Sequence, residues 1–64
     1  MRATMNLRHR VVHVLMAQHE MTYQDAYRLT YLHDDVMLSG KTEGAPDRVI
    51  AADLVYAARR ILQP

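Results

Sequence analysis

Between Met21 and Gly40 the chain reads MTYQDAYRLTYLHDDVMLSG, a run without proline and without glycine before its last residue. It reads as one helix with both ends marked. Thr22 is placed to accept a hydrogen bond from the free N–H groups of the first turn, and Asp25 follows three residues on, close to a capping box. Met21 and Ala26 have the spacing of a hydrophobic staple. Ser39–Gly40 supplies the stop, because glycine enters the left-handed conformation without a Cβ clash.

Winding this segment at about 100° per residue sorts its side chains. Ala26, Leu29, His33, Val36 and Met37 share one face. Tyr23, Tyr27 and Tyr31 recur at every fourth position beside it, and Leu38 continues their stripe. Gln24, Asp25, Arg28, Asp35 and Ser39 take the remaining side. The apolar and aromatic arc covers roughly 220°, more than packing against one core requires. Either this helix is flanked by two others within one monomer, or the tyrosine stripe meets another chain.

Size bears on that choice. A chain of 64 residues makes one domain, residues 1–64, and buries only about 60% of the surface its unfolded form exposes. Such scaffolds usually need a staple. There are no cysteines, so a disulfide is excluded, and neither Phe nor Trp is present to enlarge the core. Oligomerisation is the remaining cheap staple, most simply as a homodimer.

Two further helices flank the central one. From about 5 to 19, Leu7, Val11, Val14, Leu15 and Gln18 form an inward face. Met5, Val12 and Met16 form a second apolar strip about 120° away, a further candidate interface. A strand over residues 10–16 is rejected, since apolar positions do not alternate and no turn chemistry flanks them. The link at 18–21 is short and makes the first two helices neighbours. GKTEGAP, residues 40–46, reads as the one clear loop. Pro46 and Asp47 suit the start of a helix over about 46–62, whose core stripe is Ile50, Leu54, Ala57 and Ile61, widened by Ala51, Val55, Ala58 and Leu62. The expected fold is an all-α three-helix bundle with helices at about 5–19, 22–39 and 46–62, self-associating.

No catalytic constellation emerges. His9 and His13 lie four apart, a spacing that can grip a metal, but Arg10 stands where HExxH needs Glu, and two ligands alone make a poor site. Asp34 and Asp35 point about 100° apart on a helix and form no acid–base dyad. Gly40-Lys41-Thr42 follows a helix and lacks the upstream glycine of a phosphate loop. Neither enzyme activity, a metal nor a cofactor is expected.

A formal net charge of +1 gives no strong pull toward nucleic acid or an anionic membrane. No apolar run approaches the roughly 20 residues of a membrane span, and no secretory signal is visible, so a cytoplasmic location is expected. A DNA-binding alternative remains. Leu15, Met21, Thr22, Ala26 and Leu29 have helix-turn-helix spacing, and Arg8, Arg10, Arg28, Arg59 and Arg60, with Arg2, are the available cations. Glu20 where the turn prefers glycine, bulky Met16, and three aspartates against Arg28 on the presumed recognition helix count against it. The favoured expectation is a small regulator or inhibitor that dimerises and binds another protein. Its candidate surfaces are Tyr23, Tyr27, Tyr31 and Leu38, or Val12 and Met16.

Overall fold

The computed structural model describes residues 5–62, with side chains for 6–60. The expectations placed on Arg2 and on the side chains of Met5, Ile61 and Leu62 lie outside the described residues. Four helices occupy nearly all of the rest, and no strand occurs among the described residues. They are α1 (Met5–His19), α2 (Tyr23–Leu32), α3 (Asp34–Glu43) and α4 (Asp47–Leu62).

The three-helix expectation fails in the middle of the chain. The run expected as one helix over 22–39 is two, divided at His33, whose φ and ψ are −121° and 49°. The break sacrifices little hydrogen bonding. The His33 N–H still donates to the Leu29 carbonyl at 3.1 Å, and the His33 carbonyl accepts from Val36 at 3.0 Å and Met37 at 3.3 Å. Its physical reason is coverage. A straight rod over 22–39 would extend about 27 Å, whereas α1 with 15 residues reaches only about 22 Å. Bending lets α2 pack on α1 while α3 packs on α4.

The expected stop at Gly40 is also displaced. Gly40 is buried inside α3, where a Cβ would meet Ile50 Cγ1 at 2.6 Å. Glycine is needed there for close approach of α3 to α4. The helix ends at Gly44, whose φ of 72° is left-handed. The Ala45 N–H donates to the Gly40 carbonyl at 2.9 Å and the Gly44 N–H to Lys41 at 3.1 Å, a Schellman-type closure. The expected loop over 40–46 therefore shrinks to a short turn before α4.

The core joins Leu7, Val11, Val12 and Leu15 of α1 to Ala26 and Leu29 of α2, Met37 of α3, and Ile50, Ala51 and Leu54 of α4. Val12 belongs to it because α1 lies against both α2 and α4 and is covered on two faces. Gln18, expected inward, is exposed.

Candidate interaction surface on α2

The turn before α2 is short and well determined. Glu20 takes a φ of 56°, the Met21 N–H donates to the Leu15 carbonyl at 3.3 Å, and the Thr22 hydroxyl accepts from the Asp25 N–H at 3.2 Å. Thr22 thus caps α2 as its sequence position implies. Ala26, Leu29 and Thr30 then turn inward and are buried.

With that face fixed, the three tyrosines align along one flank. The rings of Tyr23 and Tyr27 stack with centroids 5.7 Å apart, and those of Tyr27 and Tyr31 lie 5.2 Å apart and tilted. The Tyr27 and Tyr31 hydroxyl oxygens are 3.4 Å apart. His9 of α1 borders the row, 6.1 Å from the Tyr27 ring. Tyr23 is 51% exposed, Tyr31 45% and Leu32 69%, while Tyr27 is half-buried against the core. The shared hydroxyl contact with Tyr31 is the main cause that pushes the Tyr27 phenol above its ordinary pKa; slight desolvation and the negative charges of ionised Tyr31 and Tyr23 add to it, and Arg8 opposes it.

Arg8 lies beneath this row. Its guanidinium sits 3.8 Å from the Tyr31 ring centroid, donates to the Thr30 hydroxyl at 3.0 Å, and meets the Asp34 carboxylate at 2.6 Å. The Thr30 hydroxyl in turn donates to the Tyr27 carbonyl at 2.6 Å. The residue is 1% exposed, so it is withdrawn from any phosphate-binding patch. Sequence reasoning placed Arg8 among surface cations. The missed signal is its position one residue after Leu7 and three before Val11, on the edge of the buried stripe.

The other expected residues are dispersed. Val12 is wholly buried and offers nothing to a partner, while Met16 is 36% exposed on α1. Leu38 lies beyond the break, on α3, packed against the core; Leu32, at the end of α2, is exposed but about 100° round the helix from Tyr31, off the tyrosine row. Arg10 is paired with Asp47 of α4 at 2.9 Å. Arg28 is exposed on α2, and Arg59 and Arg60 are exposed near the end of α4. Among the described residues no group of three or more His, Cys, Asp or Glu side chains is arranged to hold a metal, and no helix is long and apolar enough to cross a membrane.

Comparison of the chain with protein-family models, curated proteins and solved structures finds no match.

Proposed function

We propose that the chain is a small non-enzymatic binding protein, a regulator or inhibitor of another protein, that self-associates through the tyrosine-lined flank of α2. The observation that carries this is the aligned row Tyr23, Tyr27 and Tyr31, with Tyr23 and Tyr31 about half exposed. Tyrosine offers a large apolar ring with few rotatable bonds and a hydroxyl that tolerates water, which is why it concentrates in interfaces. The row is also preorganised, since Arg8 fixes Tyr31 from below and the rings support one another. Ordering paid within the monomer is not charged again on association. A second copy is the occupant that best answers the small core of a 64-residue chain without disulfides. Sedimentation equilibrium over a range of concentrations tests this. Wild type should pass from monomer to dimer mass with little dependence on salt. Tyr23→Ala and Tyr31→Ala, shown by circular dichroism to keep their helices, should stay monomeric at concentrations where wild type is dimeric. A monomeric wild type at millimolar concentration would overturn it.

A DNA-binding alternative is favoured by one observation. The left-handed Glu20, the brief turn and the capped start of α2 have helix-turn-helix geometry, and Gln24 and Arg28 are exposed on α2. The electrostatics oppose it, because Arg8 is buried and Arg10 is engaged with Asp47. The same helix face cannot serve both partners at once. Retention on heparin with a steep loss of binding as salt rises would favour DNA.

A further inference from the structure

We propose that the groove between α3 and α4 is a docking site for a basic amphipathic helix of a partner protein. This surface is separate from the α2 flank and gives the regulated partner its own place on the molecule.

The groove follows from how the two helices meet. Gly40 lets α3 approach α4 closely at Ile50, and a Cβ there would clash. Alongside this contact lies an open cleft of about 700 Å³. Its lining comes from His33 at the α2–α3 break, α3 positions 35, 36, 39, 40 and 43 and α4 positions 53, 56, 57 and 60. Those spacings are single helical faces, so the cleft runs along both helices. A partner helix laid there would complete a three-helix layer, the usual geometry of helix-in-groove recognition.

Its chemistry selects the occupant. Half-buried Val36 and Ala57, with Ser39 and the exposed Tyr56 ring, are the small and apolar side chains of the lining, and they suit the apolar stripe of a narrow helix. Asp35, Glu43 and Asp53 are exposed carboxylates, and none is in an ion pair with another described residue. Against these three, Arg60 is the only arginine or lysine of the lining, and it lies 5.8 Å from the Tyr56 ring. The lining thus has an uncompensated negative charge, complementary to lysine or arginine on both edges of an incoming helix. Tyr56, 64% exposed, and Arg60 are the residue types that most often anchor interfaces.

Selection of binders from a random peptide library displayed on phage, with the whole protein as bait, tests the proposal. The enriched peptides should be rich in lysine and arginine, with apolar residues at helical spacing. The affinity of a synthetic enriched peptide should fall at least tenfold on Ser39→Trp, which fills the groove, and on Asp53→Lys, which reverses an edge. It should be unchanged by Tyr23→Ala, and each variant is checked for wild-type helicity. Enrichment of acidic peptides, affinity retained in Ser39→Trp and Asp53→Lys, or no enrichment at all would overturn it. The Tyr23→Ala sedimentation result separates this outcome from failure of self-association through α2.

Discussion

The Arg8 guanidinium and the Asp34 carboxylate meet at 2.6 Å across 26 residues of chain, and they do so beside the break between α2 and α3. Asp34 is the first residue of α3, immediately after His33. The ion pair therefore ties α1 to the start of α3, while the Arg8 bond to Thr30 ties α1 to the last turns of α2. One buried cation holds both sides of a bend that the local sequence does not demand.

Removing the two partners should have unequal effects. Asp34→Ala leaves a cation with 2% side-chain exposure uncompensated, and it should cost about 2–3 kcal/mol, below the roughly 3–5 of a fully buried pair because Asp34 is 26% exposed. Arg8→Met keeps the aliphatic packing and leaves a carboxylate that water can reach, so it should cost about 1–2 kcal/mol. Urea midpoints measure both. The reverse order would mean that the guanidinium's bond to Thr30 and its seat under the Tyr31 ring, which only Arg8→Met removes, organise the bend more than the ion pair with Asp34 does.

The two glycines should respond to alanine for different reasons. At Gly40 alanine gains about 1 kcal/mol of helix propensity but sets a Cβ 2.6 Å from Ile50 Cγ1 and 3.0 Å from Cδ1. Ile50 is 1% exposed and β-branched, so it has little room to yield, and a net loss of about 1–2 kcal/mol is expected. Ile50→Ala removes both clashing atoms, so it should cost less in the Gly40→Ala background than alone. At Gly44 nothing lies within 4 Å, and the cost of about 1 kcal/mol comes only from the φ of 72°. A double-mutant cycle showing no coupling between positions 40 and 50 would refute the steric account.

These glycines also show what the sequence could disclose. The cap at Thr22, the inward positions Ala26, Leu29 and Met37, and the helical character of the three segments follow from local chemistry, which sequence carries directly. The fourth helix was hidden because His33 breaks the run without proline or glycine, through tertiary demands on length and through a partner 26 residues away. Gly40 was misread for the same reason. A glycine looks alike in sequence whether it relieves a backbone angle or makes room for a neighbour. The tyrosine row was legible from its four-residue spacing, but Arg8 beneath it was not, since an arginine reads as surface until the chain closes over it.

Glu20 carries a testable strain. Its φ of 56° lies in the left-handed region, where a Cβ costs about 1–2 kcal/mol. The side chain is exposed and has no hydrogen bond or ion pair with a described residue to offset this. Glu20→Gly should therefore stabilise the fold by about 0.5–1 kcal/mol, after allowing for the extra freedom glycine gives the unfolded chain. In a domain of this size that is a rise in melting temperature of roughly 2–8 °C. A lower melting temperature would show that the glutamate side chain itself supports the turn.

Alkaline titration should single out Tyr27. Its phenol is raised above the ordinary tyrosine value first by the Tyr31 hydroxyl, so in the folded chain it gives up its proton later than in the unfolded one. The contribution is therefore fully present below the unfolded pKa, near pH 10, and is lost as pH climbs through the folded value. Tyr31→Phe removes the hydroxyl responsible, along with the negative charge that Tyr31 would itself acquire. Followed by tyrosinate absorbance, the last ionisation of wild type should fall at higher pH than that of Tyr31→Phe. The variant should also lose less stability across the same alkaline range. Superimposable titrations would mean that the 3.4 Å hydroxyl contact is not maintained in solution, and that the row is held by ring packing and Arg8 alone.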